Sequence, residues 1–178
     1  GYHDTSLPKE ENLKIIGKKM GDAISHRGPD DSGIWIDNKF GLVFSHKRLS
    51  IIDLSRKGHQ PMMSDSGRFI ITFNGEIYNH NSIRRTIERN NIASEWKGSS
   101  DTETLLKAIE IWGLDKTLGI CSGMFAFGLW DRKEKLLFLA RDRFGEKPLY
   151  YGNLNLINKS EYIFAFGSEL NAIRAIPN

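Results

Sequence analysis

Met124-Phe125-Ala126-Phe127-Gly128-Leu129-Trp130 and Leu136-Leu137-Phe138-Leu139-Ala140 are nearly continuous apolar runs, joined by the charged Asp131-Arg132-Lys133-Glu134-Lys135. Runs without polar alternation predict adjacent strands buried on both faces. Strands covered on both sides need a layer above and a layer below. In a chain of 178 residues, that requirement predicts two sheets packed face to face with helices outside. The expected fold is therefore of the α+β class, a four-layer αββα sandwich of two mostly antiparallel sheets.

The elements around this pair supply the other layers. Over residues 13–24, Leu13, Ile16, Met20, Ala23 and Ile24 recur at helical spacing, and His26-Arg27-Gly28-Pro29 ends the pattern. Residues 34–36 and 42–45 read as a hairpin turning at Asp37-Asn38. Residues 69–73 are β-branched and aromatic, hence a strand, and Asn79-His80-Asn81-Ser82 offers caps for a helix through about Arg89. This predicts a strand that meets a helix across Asn74-Gly75-Glu76. Ser100-Asp101-Thr102-Glu103 matches a capping box, and Leu105, Ala108, Ile109 and Trp112 stripe one face of its helix before Gly113. Strands at 149–151 and 162–166 and a short final helix capped by Ser168 complete the chain.

A composition of 39% hydrophobic and 26% charged residues is that of one globular domain with one continuous core. The formal charge is only +3, from 25 Lys+Arg against 22 Asp+Glu, with the basic residues dispersed, so no nucleic-acid partner is expected. The longest apolar run is far short of the ~20 residues that cross a bilayer, so no membrane partner is expected either. A single cysteine, Cys121, allows neither an intrachain disulfide nor a zinc cluster and fits a reducing, cytoplasmic setting. Its apolar surroundings predict an inert core thiol. His3, His46, His59 and His80 lack ligand spacing, so no metal site is assigned.

Six local motifs follow one another: 26–33 (HRGPDDSG), 48–53 (RLSIID), 74–79 (NGEIYN), 100–103 (SDTE), 123–127 (GMFAF) and 141–145 (RDRFG). As an ordered set they closely resemble class II glutamine amidotransferase domains, in the asparagine synthetase branch, over nearly the whole chain. Pro29 and residues 141–150 carry the branch assignment. The resemblance implies the N-terminal nucleophile hydrolase fold. It also implies a nucleophilic N-terminal cysteine whose own α-amino group, with a pKa near ~8, is the general base. The thiolate attacks the side-chain amide of glutamine, and glutamate and ammonia result.

The family's oxyanion donors map onto the Asn74 side-chain amide and the Gly75 backbone N–H, where a residue without Cβ lets backbone approach substrate. Asn-Gly is also a strong hairpin-turn signal. That alternative is weakened because a helix, and not a second strand, is expected to follow. Arg48 resembles the residue that binds the glutamine carboxylate, with Leu49, Ser50, Ile51 and Ile52 as the adjoining wall. Asp101 resembles the acceptor of the α-ammonium, although an acid in the first helical turn is favourable in any protein. Glu76 lines the same pocket. His26 is expected to be structural, with Arg27 and Asp30 bracing the loops.

Gly1-Tyr2 resembles the second glycine and aromatic of the family's opening, which places the expected cysteine upstream of Gly1. Residues 1–178 are thus expected to be the amidotransferase domain, unable to hydrolyse glutamine without that cysteine. An ATP-dependent synthetase domain is expected to follow Asn178. ATP and Mg are cofactors of that further domain and none belongs to this one. The expected partners are glutamine and the synthetase domain, with a homodimer allowed for. Two alternatives remain: an amidotransferase acting on a sugar or peptide acceptor, and a non-catalytic module binding glutamine or a partner protein.

Overall fold

The computed structural model describes residues 10–50, 55–90, 95–155 and 162–177. Its elements begin with α1 (Glu10–Asp22), β1 (Asp31–Asp37), β2 (Leu42–Arg48), β3 (Met62–Met63) and β4 (Phe69–Ile77). There follow α2 (His80–Arg89), α3 (Asp101–Trp112), α4 (Leu114–Ile120), β5 (Gly123–Asp131) and β6 (Leu136–Arg141). The last are β7 (Tyr150–Asn155), β8 (Tyr162–Gly167) and α5 (Leu170–Arg174). Every ladder is antiparallel. Helices with antiparallel sheets are the α+β composition that the sequence predicts. The described residues up to Leu49 and from Leu149 onward form one compact unit, and Ser50–Pro148 form a second. Each has its own apolar cluster, where length and composition led to the expectation of one continuous core.

In the first unit β1 pairs with β2 and β7 with β8. Helix α1 carries Glu10 and Glu11 in its first turn and Lys19 in its last, the arrangement its dipole favours. Its buried face is Leu13, Gly17 and Gly21. A Cβ at Gly17 would stand 2.6 Å from Val43 of β2, and one at Gly21 2.5 Å from the Ser45 hydroxyl, so the glycines set how closely helix and strand approach. Ile16 and Met20 pack on Ala165, Ile173 and Ile176. Helix α5 is N-capped by Glu169, without a side-chain bond, and not by Ser168 as expected. The Glu169 carboxylate is instead engaged by Arg27 and His26, each at 3.0 Å.

The second unit is a four-stranded sheet of order β3-β4-β5-β6 with α2 and α3 on one face. Phe73, Phe125 and Phe127 stack at centroid separations of 5.8–6.4 Å. They join Ile83, Ile87, Leu105 and Ile109 of the helices in the core. Truncating one of these phenylalanines to alanine costs about 3–5 kcal/mol. The charged link turns because the Asp131 carboxylate accepts the N–H groups of Lys133 and Glu134. Strand β5 is buried from Phe125 to Asp131 as its apolar run requires, whereas β6 is only half covered. As the end strand, β6 has a ladder on one side only.

Three local expectations need correction. Strand β4 does not stop at Phe73; it runs through Asn74, Gly75 and Glu76 to Ile77, in unbroken register with β5. The Asn79 side chain makes no cap bond to α2, because its amide spans to Ile120 O and Ser122 N at 2.8 and 2.9 Å. Helix α4 had no counterpart in the sequence reading. It begins directly after Gly113, which holds φ 82°, and packs Leu114, Leu118 and, just past its end, Cys121 on the core at the i, i+4, i+7 spacing of a helical stripe.

Candidate active site

The outer edge of β4 positions the site. N–H groups alternate in direction along a strand. Phe125, the register partner of Gly75, turns both its polar groups to Asp142: its N–H donates to Oδ2 at 3.2 Å and its C=O accepts from the Asp142 N–H at 2.8 Å. Gly75 and Phe125 are therefore a non-hydrogen-bonded pair, and the Gly75 N–H points away from β5. On that edge the Phe69 N–H is taken by Ser64 Oγ at 3.1 Å. The Phe73 N–H goes to Gln60 Oε1 at 2.7 Å, and the Ile77 N–H to Asp101 Oδ2 at 2.9 Å. The Gly75 N–H lies between the last two, with no acceptor for it among the described residues.

Glycine is required at this point for a reason other than substrate approach. A Cβ on Gly75, at φ 155°, would stand 2.1 Å from the Met124 carbonyl oxygen and would drive β4 off β5. The continuous pairing of 69–77 with 123–131 also excludes an Asn-Gly turn. The neighbouring Asn74 side chain has a buried Nδ2 without a hydrogen-bond partner among the described residues. A buried amide donor left unpaired costs about 1–3 kcal/mol, so an acceptor atom delivered by a ligand offsets that cost. Two open donors on consecutive residues suit an oxygen that acquires negative charge.

Asp101 opens α3 just behind the cap. Ser100 Oγ accepts the Glu103 N–H at 3.1 Å, as the capping box predicts, but Glu103 reaches back to Lys97 N and Gly98 N and not to Ser100. Asp101 is 6% exposed, and its carboxylate accepts the backbone N–H groups of Ile77 and of its neighbour Thr102. Desolvation raises its pKa above the ordinary aspartate value, against the lowering effect of those bonds, of His80 and of its own N–H. Ionised, it is a desolvated anion with lone pairs to spare, which a ligand cation satisfies. Glu76, half-buried, follows Gly75 on the strand.

The structure thus brings Asn74, Gly75, Glu76 and Asp101 together in the second unit, where Ser50 is also found, half-buried. Arg48 and Leu49 belong to the first unit. Arg48, buried, closes β2 opposite Asp31 and accepts the Asp30 N–H on its carbonyl at 3.1 Å, while Leu49 is exposed. Ile51 and Ile52 lie outside the described residues. His26 and Arg27 hold the Glu169 carboxyl below its usual range, Arg27 contributing most, which is the bracing role expected of Arg27. Cys121 is partly buried against the sheet core, and burial pushes its thiol up to about 11.

Sequence reasoning passed over Gln60, 7% exposed and bonded to the Phe73 peptide, and His80, whose Nδ1 is buried without a partner among the described residues. No periodicity or capping signal marks Gln60, because its partner Phe73 lies 13 residues away.

Comparison with known proteins supplies context for this geometry. Residues 2–178 match the family described as glutamine amidotransferase domain. The chain is 40% identical, over its whole length, to asparagine synthetase [glutamine-hydrolyzing] 2 of Bacillus subtilis, covering 22% of that protein. It is 39% identical to asparagine synthetase [glutamine-hydrolyzing] 3 of the same organism over 90% of the chain and 24% of the relative. It is also 40% identical to a putative asparagine synthetase [glutamine-hydrolyzing] 2 of Methanocaldococcus jannaschii over 94% of the chain and 33% of the relative. The chain spans between a fifth and a third of the length of these relatives.

Proposed function

The chain belongs to the glutamine amidotransferase domain family, and from that premise we propose that it releases ammonia from glutamine for the ATP-dependent amidation of aspartate. The observation that supports the reading is a pair of donors on consecutive residues, Asn74 Nδ2 and Gly75 N–H, neither with an acceptor among the described residues, beside a desolvated carboxylate.

In this proposal the thiolate of an N-terminal cysteine upstream of Gly1 attacks the side-chain carbonyl carbon of glutamine. The electron pair of the C=O moves onto oxygen, where Asn74 and Gly75 donate to it; each such donor is typically worth ~3 kcal/mol of barrier. Collapse of the tetrahedral intermediate expels ammonia and leaves a glutamyl thioester, which water hydrolyses to glutamate. Asp101 takes the α-ammonium of the substrate, with Glu76 in the same unit; the carboxylate-binding role of Arg48, with Leu49, Ser50, Ile51 and Ile52, rests on the resemblance of residues 48–53 alone. Among the described residues no group of three His, Cys, Asp or Glu is placed to hold a metal ion. The ATP and Mg of the proposal are accordingly given no residues here and belong with the C-terminal synthetase domain. None of the described helices is long and apolar enough to cross a membrane, and a cytoplasmic enzyme, with a homodimer allowed for, fits the proposal.

The test is a glutaminase assay on the full-length natural protein. Glutamate should form from L-glutamine, and alkylation of the N-terminal thiol should abolish it; a verified free N-terminal cysteine with no turnover overturns the reading. Asparagine formed from aspartate, ATP and Mg identifies the acceptor, and its absence beside intact glutaminase activity shifts the proposal to a sugar or peptide.

A further inference from the structure

On the outer edge of β4 the position before Gly75 is held by one side chain. Strand β3 pairs Met62 with Ile71, and extending that register by two residues places Gln60 opposite Phe73. The backbone pairing of β3 ends at Met62, short of that position. Gln60 resumes the pairing with its side-chain amide. Its Oε1 accepts the Phe73 N–H at 2.7 Å, and its Nε2 donates to the Phe73 carbonyl at 3.2 Å and reaches Thr102 Oγ1 at 3.5 Å. A primary amide carries one acceptor and one donor group and so replaces a strand peptide. Being a side chain, it holds only one peptide, and among the described residues none accepts the next outward N–H, that of Gly75. The contact to Thr102 also ties the same amide to the residue that follows Asp101.

We infer that Gln60 is a positioning residue for the oxyanion donors: it fixes the Phe73 peptide that leads into Asn74 and ends the edge pairing one step before Gly75. The inference rests on the glutamine-hydrolysing reading. Gln60 touches neither the substrate nor the nucleophile; it acts by holding the orientation of the two donors. A glutamate here keeps an acceptor for the Phe73 N–H but sets an anionic oxygen against the Phe73 carbonyl. A methionine removes both bonds at similar volume.

Gln60→Glu and Gln60→Met are compared with the parent in the full-length natural protein by glutaminase kinetics and thermal melting. Misaligned donors act on the transition state, so kcat should fall about 10-fold, less than the 10²–10³ lost when a donor is deleted. KM for glutamine should stay within about two-fold. The γ-aldehyde analogue of glutamine, which gives a tetrahedral adduct with a thiol, should weaken in proportion to kcat. A kcat unchanged in either folded variant overturns the inference, as does a loss shared equally by glutamine affinity and aldehyde affinity. If Gln60→Met does not fold, Gln60→Glu alone decides. A parent without glutaminase activity overturns the underlying reading as well, whereas an active parent with indifferent variants overturns only the role of Gln60.

Discussion

Asp101, at the start of α3, and Asp142, just after β6, are both buried aspartates in the same unit, and their carboxyls move in opposite directions. Asp142 accepts four backbone N–H groups, from Lys147, Glu146, Phe125 and Phe144, and these hold it down to about 2. Asp101 accepts from Ile77, Thr102 and, more weakly, its own N–H, and burial outweighs them and raises it. The Asp142 region, reinforced by Arg141 donating to the carbonyls of Lys147 and Gly145, has its polar groups paired internally and is a structural clasp for the loop after β6. Among the described residues, Asn74 and Gly75 of β4 and the Asp101 carboxylate beside them have fewer partners. Satisfied carboxylates stabilise a fold, and desolvated ones with spare capacity recognise ligands.

The sharpest way to break that contrast is to delete an open donor. Asn74→Ala in the full-length natural protein should lower kcat for glutamine hydrolysis about 10²–10³-fold with KM little changed; a kcat within a few-fold of the parent removes Asn74 from the chemistry. Next in size, Asp101→Asn should raise KM for glutamine about 10- to 100-fold and leave kcat nearly intact, on the scale of one buried charge-assisted contact. Because the folded-state pKa is raised, the parent should lose glutamine affinity on acidification at a higher pH than an ordinary aspartate would dictate, and the variant should show no such step. A KM–pH profile common to both excludes Asp101 from the ammonium site.

Asp142→Asn should do the reverse, lowering the melting temperature by several degrees while KM stays fixed. For a depressed carboxyl the stabilisation is complete above the unfolded value near ~4 and is lost as pH falls from there towards about 2. Melting curves from pH 5 to pH 2 should therefore fall less steeply for the variant than for the parent; parallel curves contradict the clasp. The smallest effect is expected at Cys121, where burial acts with no donor to oppose it and the thiol is pushed up to about 11. Cys121→Ala should leave glutaminase kcat within about two-fold, and a large loss there contradicts its assignment as an inert thiol.

Some of this was legible from local pattern. The hairpin 124–140, the Ser100–Glu103 capping signature and the helix ending at Gly113 depend on contacts within a few residues, and each is present. The polar ends of elements were read less well: Asn79 and Ser168 are good cap residues by type, yet neither caps with its side chain, because the outcome depends on what else lies within reach.

Sequence alone determined that this chain alternates helices with antiparallel strands, and its ordered motifs indicated which residues to examine. Only the tertiary structure decided that Asn74-Gly75 lies inside a strand, that Gly75 is glycine because Met124 O is 2.1 Å from any Cβ, and that its N–H lies between two filled positions with no acceptor among the described residues. The physical reason is range: propensity and periodicity act over a turn or a pleat. The acceptors that flank that N–H come from positions 13 and 24 residues away, and a missing hydrogen bond is visible only once its neighbours are in place.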